Sequence, residues 1–363
     1  MAINFIDLKA QYREYENEID AAIKDVCVNA QFIGGSKHQE FERNLSSYVG
    51  VKHAIGCSSG TDALLLSLMA LDIKEGDEVI TTPFTFIATA EVISFLGAKP
   101  VFVDIDEKSY NIDADRVEAV ITDKTRAIMP VSLYGQCADM SKINEIASKH
   151  NITVVEDACQ SFGATQKGKR SCGLSDIGCT SFFPSKPLGG YGDGGAIFTD
   201  SDETAAKIRM LLNHGQNERY KHKYIGINGR LDAIQAAVLG VKLKYFDNEV
   251  KKREEIGRRY SEMLADADVI TPFIEENNSS VYAQYSIRVK DREKMVEKLS
   301  QAGVPTAVHY PMPLHLQEAF AGLGYKKGDF PICERVSEEI MSLPMSPYLR
   351  KDEQDLIVKI IKE

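Results

Sequence analysis

The sequence lacks the features that mark several common classes of protein. Its 43 basic residues are outnumbered by 53 acidic ones, which gives the 363-residue chain a formal net charge of −10. A chain with this deficit of positive charge is poorly suited to neutralising a phosphate backbone, so nucleic acid is not an expected partner. The longest apolar stretches, residues 63–71 and 92–96, are much shorter than the roughly 20 residues of a membrane helix. No membrane partner is expected either.

The cysteine pattern excludes two further classes. The seven cysteines are odd in number and no two have the Cys-x-x-Cys spacing, so the sequence indicates neither a disulfide framework nor a zinc cluster. No Gly-x-x-x-x-Gly-Lys-Ser/Thr phosphate loop or His-Glu-x-x-His metal pair is present. Charged residues fall within the first ten positions, and no signal-peptide core follows them. We therefore expect reduced thiols, no bound metal and a cytoplasmic location.

From about residue 50, short β-rich runs alternate with helical patterns, which is typical of βαβ units. The predicted strands at residues 53–57, 78–82, 99–104 and 152–157 are mostly apolar and lack two-residue alternation, as expected for a parallel sheet buried on both faces. A long helical stretch at 231–264 leads to a smaller α+β region with strands predicted at 282–289 and 306–309. The patterns therefore predict an α/β unit at 1–245 and an α+β unit at 246–363.

Three segments place polar residues or glycine at the carboxyl end of a predicted strand, where open α/β sheets bind their ligands. The first, residues 57–62, reads Cys-Ser-Ser-Gly-Thr-Asp and opens a very apolar helix. Its free backbone N–H groups and hydroxyls could bind a phosphate at the positive end of that helix. An ordinary serine or threonine N-cap would explain the same residues.

The second and third segments supply an acid and an amine. Asp157 ends the strand pattern of residues 152–157, so its carboxylate needs a positive partner. A salt bridge or an N-cap role would satisfy it equally well. Lys186 lies between an aromatic strand end and a glycine-rich loop, where a lysine can lose its proton and act as a nucleophile. Most lysines, however, are solvated surface residues.

A phosphate cradle, a buried acid and a buried lysine are together the groups that pyridoxal phosphate (PLP) chemistry requires. The motifs that carry them are Ser-Gly-Thr-Asp-Ala-Leu at 59–64, Thr-Pro-Phe-Thr-Phe-Ile-Ala-Thr at 82–89, Glu-Asp-Ala-Cys-Gln-Ser at 156–161, Ser-Phe-Phe-Pro-Ser-Lys at 181–186 and Gly-Ile-Asn-Gly-Arg-Leu-Asp at 226–232. With these motifs the chain resembles the fold-type I, PLP-dependent sugar aminotransferases of the DegT class over nearly its whole length. The resemblance implies an aspartate-aminotransferase-like large domain with a mostly parallel sheet, followed by a smaller α+β C-terminal domain.

The resemblance also implies roles for single residues. Lys186 would be the lysine that bonds to PLP, and Asp157 would hold the proton on the pyridine nitrogen. The other cofactor contacts would be Gly60, Thr61 and Ser181 at the phosphate, Phe86 stacked on the ring, Gln160 at the phenolic oxygen, and Asn228 of the partner subunit at the phosphate. The last of these contacts implies a homodimer with shared active sites.

The identity of residue 186 bears on the reaction. A dehydratase branch of the family has histidine at this position, so the lysine implies transamination, in which Lys186 also shuttles a proton. L-Glutamate is the expected amino donor, and PLP would alternate with pyridoxamine phosphate (PMP) in a ping-pong reaction. A regulatory descendant without catalysis is disfavoured, because both Lys186 and Asp157 are present.

The expected amino acceptor is the C3 keto group of a nucleotide-linked sugar. Residues 307–317 are similar to family members that act at C3, and most similar to those acting on UDP-2-acetamido-2-deoxy-3-oxo-glucuronate for bacterial surface polysaccharide (O-antigen). The candidates to bind its C6 carboxylate are Arg230, His309, Tyr310 and His315, although a histidine or tyrosine beside prolines can also simply fill a structured loop. A dTDP-3-oxo-6-deoxyhexose and a C4 keto sugar stay open as alternative acceptors.

Overall fold

A computed structural model describes residues 3–363, so the first two residues of the predicted 1–245 unit lie outside the described chain. Residues 3–363 form eleven α-helices and thirteen strands. The helices are α1 (Leu8–Asn29), α2 (Gly35–Val49), α3 (Gly60–Ala70), α4 (Ala88–Phe95), α5 (Ala114–Val117), α6 (Met140–His150), α7 (Asp202–Leu211), α8 (Ala233–Met263), α9 (Arg292–Gln301), α10 (Pro331–Glu339) and α11 (Lys351–Lys362). The strands are β1 (His53–Cys57), β2 (Glu78–Thr81), β3 (Lys99–Phe102), β4 (Thr125–Ile128), β5 (Thr153–Asp157), β6 (Thr165–Gln166), β7 (Lys169–Arg170), β8 (Ile177–Ser181), β9 (Gly195–Thr199), β10 (Gln216–Glu218), β11 (Lys221–His222), β12 (Tyr285–Arg288) and β13 (Ile340–Leu343).

Seven of these strands form one sheet in the order β1-β9-β8-β5-β4-β2-β3. Within the described chain, β9 is the one strand of this sheet that runs antiparallel to its neighbours. Strands β2 and β9 are buried at every residue, as expected for a sheet covered on both faces. The predicted α/β fold with a mostly parallel sheet is therefore confirmed.

The strand directions bring three strand ends to one edge of the sheet. Because β9 is antiparallel to both β1 and β8, these two strands run in the same direction, and β5 runs parallel to β8. The last residues of the three strands, Cys57, Asp157 and Ser181, therefore lie on the same edge. This is the carboxyl edge, where α/β sheets bind ligands.

Helix α3 packs against the sheet and supports its carboxyl edge. Its consecutive leucines at 64–66 and its Leu68 are buried and pack in one core cluster with residues of β1, β5, β8 and β9. A helix with apolar side chains all round is buried rather than amphipathic. Burial of α3 against the sheet thus holds its first turn beside the end of β8.

The C-terminal region has its own core and one element that the sequence predicted wrongly. Strands β12 and β13 pair antiparallel, whereas residues 306–309 do not form the predicted strand and make a single bridge between Ala307 and Ser342. Pro305 and Pro311 bracket this segment, and proline cannot donate a ladder hydrogen bond. The core of this region also includes Ile3 from the start of the chain.

Helix α8 links the two regions without a break. It has 31 residues, a length of about 46 Å at 1.5 Å per residue, and it passes through position 245. The division at 245/246 consequently falls inside a helix and stays a prediction. No helix among residues 3–363 is both long enough and apolar enough to cross a lipid bilayer.

Candidate active site

The turn between β1 and α3 forms a cradle at the carboxyl edge of the sheet. Ser59 is the N-cap of α3, because its Oγ accepts a hydrogen bond from the Asp62 N–H at 3.0 Å; the N-cap interpretation is therefore correct for this residue. A Cβ added to Gly60 would lie 2.6 Å from the Ser181 Cβ and 3.0 Å from the Cys159 Sγ. Only glycine fits there without displacing β8, so the structure brings Gly60, Thr61 and Ser181 together.

Asp157 is a buried carboxylate held by neutral donors. Its side chain is 4% exposed, its Oδ2 accepts from the Thr89 hydroxyl at 2.8 Å, and its Oδ1 accepts from the Cys159 N–H at 3.2 Å. A hydroxyl and a backbone amide fix the orientation of the carboxylate but do not neutralise its charge. The carboxylate is thus prepared to meet a positive group at the edge of the sheet.

Lys186 follows β8 in a tight turn near the same space. Its backbone N–H donates to the Phe183 carbonyl at 2.8 Å, and the residue is half-buried rather than fully buried as predicted. Burial raises the pKa of the Cys159 thiol well above its usual range, the Asp157 carboxylate raises it further, and the Lys186 ammonium lowers it. The Phe183 N–H donates to the Ser181 Oγ at 3.2 Å, so the turn that carries Lys186 adjoins the Gly60 cradle, and Cys159 lies against both the cradle and Asp157.

Residues from the segment after β5 and from the segment after α9 meet on another side of this space. Gln160 Nε2 donates to the Tyr310 hydroxyl at 3.2 Å, and its Oε1 accepts from the Tyr134 N–H at 3.0 Å. The Phe86 ring lies 6.2 Å from the Tyr310 ring and is 54% exposed. Burial, and secondly the charge of Lys186, lower the pKa of His309. The structure therefore groups Phe86, Gln160 and His309 around Tyr310.

Arg230 and Asn228 form a separate group beside the cradle. The backbone of Arg230 forms an isolated β-bridge with that of Cys57. The Arg230 Nη1 donates to the Asn213 Oδ1 at 2.6 Å. The buried Nε of Arg230 has no hydrogen-bond partner among residues 3–363. Asn228 is exposed and forms a backbone bridge with Asn213. A buried guanidinium N–H without an acceptor calls for a partner that the described residues do not supply.

The structure does not bring His315 to the site. The side chain is buried, its Nε2 lies 3.0 Å from Glu334 Oε1, and its ring packs against Phe330 at 4.7 Å. Leu314, also buried, anchors the same short helical turn in the core. His315 therefore satisfies the alternative interpretation, in which a histidine beside prolines fills a structured loop.

Two buried polar residues in or next to the site were not assigned by sequence reasoning. Thr89 is the last residue of the 82–89 motif, and its hydroxyl donates to Asp157. Its position one helical turn after Thr85, to which it also hydrogen-bonds, does not indicate that Asp157 is its partner. Glu156 is completely buried and accepts from the Ser132 and Ser171 hydroxyls and the Cys172 N–H. Burial raises the pKa of this carboxyl group. Alternation along β5 indicates that Glu156 points away from Asp157, towards the opposite face.

Comparison with known proteins identifies the family that this site belongs to. The family model described as DegT/DnrJ/EryC1/StrS aminotransferase family matches residues 13–362. The chain belongs to this aminotransferase family. One relative, the UDP-2-acetamido-2-deoxy-3-oxo-D-glucuronate aminotransferase of Pseudomonas aeruginosa, is 54% identical over 347 residues, which cover 96% of each chain.

Solved structures of similar proteins have the same fold. An aminotransferase of this family from Brucella abortus has a TM-score of 0.96 and 42% identity, and the match covers 99% of this chain and 98% of that one. NtdA from Bacillus subtilis, solved with bound cofactor PMP, has a TM-score of 0.90 and 33% identity over 96% of this chain and 82% of that one. The predicted family and its aminotransferase fold are thus confirmed.

Proposed function

We propose that this aminotransferase uses PLP to move the amino group of L-glutamate to the C3 keto carbon of UDP-2-acetamido-2-deoxy-3-oxo-glucuronate. The observation that carries the proposal is the convergence of Lys186, Asp157 and the Gly60 cradle on one edge of the sheet. The 54% identical relative, named for this substrate, supports the choice of sugar. The product would serve bacterial surface polysaccharide synthesis in the cytoplasm.

The residues present fit the proposed cofactor. The Gly60 cradle would hold the phosphate, since a Cβ would fill it, together with Thr61 and Ser181. The buried Asp157 carboxylate would hold the proton of the pyridine nitrogen, Gln160 would bind the phenolic oxygen, and Phe86 would cover the ring. When bound, PLP supplies an electron-withdrawing ring that stabilises the negative charge left when a proton leaves the amino-bearing carbon.

The chain's own side chains would then carry the proton and orient the substrate. In the glutamate half-reaction Lys186 Nζ would take the proton from the α-carbon and deliver it to the cofactor, and in the sugar half-reaction it would take a proton from the cofactor and deliver it to C3. His309 stays neutral near pH 7, because its pKa is lowered by burial and by Lys186, and the Ser342 hydroxyl lies 3.0 Å from its Nδ1. Tyr310, whose pKa is raised by burial, stays protonated as a hydrogen-bond donor.

A homodimer is part of the proposal. The segment before Asn228 contains two widely exposed apolar residues, Tyr220 at 78% and Ile225 at 91%, and such residues are commonly covered in an interface. Asn228 itself is exposed and would reach the phosphate held by the partner subunit. Sedimentation at micromolar concentration tests the assembly, and a monomer with full activity would contradict this part of the proposal.

The proposed function is tested by spectra and products of the purified protein loaded with PLP. L-Glutamate is expected to shift the PLP absorbance towards the near ultraviolet, and addition of the 3-keto uronate sugar is expected to restore it, with parallel lines in a ping-pong kinetic plot. A protein that binds no PLP would contradict the proposal. Turnover of a dTDP-3-oxo-6-deoxyhexose or a C4 keto sugar, without turnover of the uronate, would leave transamination intact and reject the substrate.

We expect the substitution of Gly60 with alanine to lower PMP affinity by about 10-fold to 100-fold. The added Cβ would meet Ser181 at 2.6 Å, and overpacking of this kind costs about 1–3 kcal/mol. Titration with PMP measures the loss. Gly240→Ala on α8 is the control, because its added Cβ has no neighbour within 4 Å and alanine favours a helix. Equal PMP affinity for wild type and Gly60→Ala would exclude the cradle as the phosphate site.

Arg230 is the side chain we expect to select the C6 carboxylate. Arg230→Met is expected to lower kcat/KM for the uronate by about 10-fold to 100-fold, the loss of a charge-assisted hydrogen bond, with little change for the analogue that has a hydroxymethyl group at C6. Arg230→Lys, which keeps the charge but not the planar fork, should lie between the two. An equal loss on both sugars would assign Arg230 to the nucleotide or the phosphate instead.

A further inference from the structure

Lys242 of helix α8 is a buried amine outside the groups discussed so far. Its side chain is 3% exposed, its Nζ donates to the Gly189 carbonyl at 2.7 Å, and the same Nζ lies 4.2 Å from the centre of the Tyr191 ring. Both contacts fall on the loop that begins three residues after Lys186. Lys242 therefore connects helix α8 to the backbone of this loop.

A second side chain of α8 holds the same loop. Gln235 Oε1 accepts from the Tyr191 N–H at 2.8 Å, and Gln235 and Lys242 are seven residues apart, which puts them on one face of the helix. A Cβ added to Gly190 would lie 2.8 Å from Gln235 Oε1. The helix face thus contacts the loop at consecutive residues from 189 to 191.

The loop in turn fixes the backbone on both sides of Lys186. The Gly190 N–H donates to the Phe182 carbonyl, and the Phe182 N–H donates to the Gly194 carbonyl, each at 2.7 Å. A Cβ added to Gly189 would lie 2.3 Å from the Pro184 carbonyl oxygen. Residues 182–194 therefore form one closed turn with Lys186 inside it, and movement at residue 189 would displace the segment that carries Lys186.

The surroundings of Lys242 are unfavourable for a charged amine. Across residues 3–363, no carboxylate oxygen lies within ion-pair distance of its Nζ, and a carbonyl and an aromatic ring are its partners. Burial lowers the pKa of Lys242 to about 8, against a smaller upward effect of Glu249. A buried ammonium without an ionic partner carries a desolvation penalty. Stability alone therefore does not account for a lysine here.

We propose that Lys242, assisted by Gln235, is a positioning residue that holds the 189–191 loop and so keeps the Lys186 amine directed at the cofactor. This inference rests on the proposed function, since it assumes that Lys186 bonds to PLP. Lys242 itself touches neither cofactor nor substrate in this proposal. Its effect is on how readily Lys186 reaches its target.

The test compares two cofactor forms in the full-length apoprotein of a Lys242→Met variant. PLP carries an aldehyde that can bond to Lys186, whereas PMP carries an amine and cannot, so only PLP reports the position of Lys186. We expect the rate of PLP fixation to Lys186, trapped with borohydride and located by peptide mass, to fall about 10-fold or more, because displacing a reacting group by about 1 Å can cost 10²-fold. PMP affinity should stay within twofold.

Two further variants make the result decisive. Lys244→Met removes an exposed lysine of the same helix, paired with Glu18 at 3.1 Å, and should fix PLP at the wild-type rate. Gln235→Leu should slow PLP fixation in the same way as Lys242→Met, because both act on one loop. The inference would be overturned if Lys242→Met and Gln235→Leu both fixed PLP at the wild-type rate, or if they lost PLP and PMP binding equally. Failure of the wild-type protein to fix PLP at Lys186 would instead reject the proposed function.

Discussion

Substitution of Lys186 with alanine is expected to lower the rate of the glutamate half-reaction by at least about 10⁴-fold. The variant loses the amine that would bond to PLP and the base that would move the substrate proton, and general acid–base catalysis alone contributes about 10²- to 10⁴-fold. Lys186 is half-buried at the end of a turn, so its truncation leaves the core clusters intact. PMP binding should persist, because the Gly60 cradle and Asp157 are unchanged.

Single-turnover absorbance after mixing with L-glutamate measures this loss, and PMP titration shows that the site is still formed. Lys186→Arg is the matched control, since it keeps a positive charge but its guanidinium neither bonds to an aldehyde nor gives up its proton. It should be as inactive as Lys186→Ala. Activity in Lys186→Arg near that of the wild type would mean that position 186 contributes only charge, and the assignment of the catalytic base would be wrong.

Local sequence patterns were sufficient for much of the fold. Strand β1 has the bounds predicted for it, and β2, β3 and β5 lie within the predicted ranges 78–82, 99–104 and 152–157, because each is a largely apolar run ended by residues with turn or capping preferences. The error at 306–309 has the opposite origin. That segment has β-forming residues but lies between prolines, and β13, which occupies the ladder position instead, is recognisable only from its partner β12.

The candidate site was predictable to the extent that strand ends determine it. Asp157 ends a strand of the sheet, and Gly60 and Lys186 follow two parallel strands of the same sheet, so the topology brings them to one edge. His315 and Lys242 show where this reasoning stops. Both depend on which way a side chain points after the chain has packed, and His315 turns into the core towards Glu334 while Lys242 reaches the loop after Lys186. Neither direction has a local signature in the sequence.

Substitution of Asp157 with asparagine is expected to lower the same half-reaction by about 10³-fold. The carboxylate is buried without a cation among its hydrogen-bond donors, so its charge is available to stabilise a proton on the cofactor ring. Loss of one partner from a buried charge pair costs about 3–5 kcal/mol, which corresponds to roughly 10²- to 10⁴-fold in rate. Stopped-flow absorbance with glutamate measures the rate, and the PLP–Lys186 bond should still form.

A graded comparison at Thr89 separates the charge of Asp157 from its orientation. Thr89→Val keeps the carboxylate but removes the hydroxyl that donates to Oδ2 at 2.8 Å, and a hydrogen bond to a charged group is worth about 1.5–3 kcal/mol, or roughly 10- to 150-fold in rate. Thr89→Ser should restore most of that loss. If Thr89→Val were as slow as Asp157→Asn, the direction of the carboxylate would matter more than its charge. Because the second donor, the Cys159 N–H, is untouched in the valine variant, we expect the smaller effect.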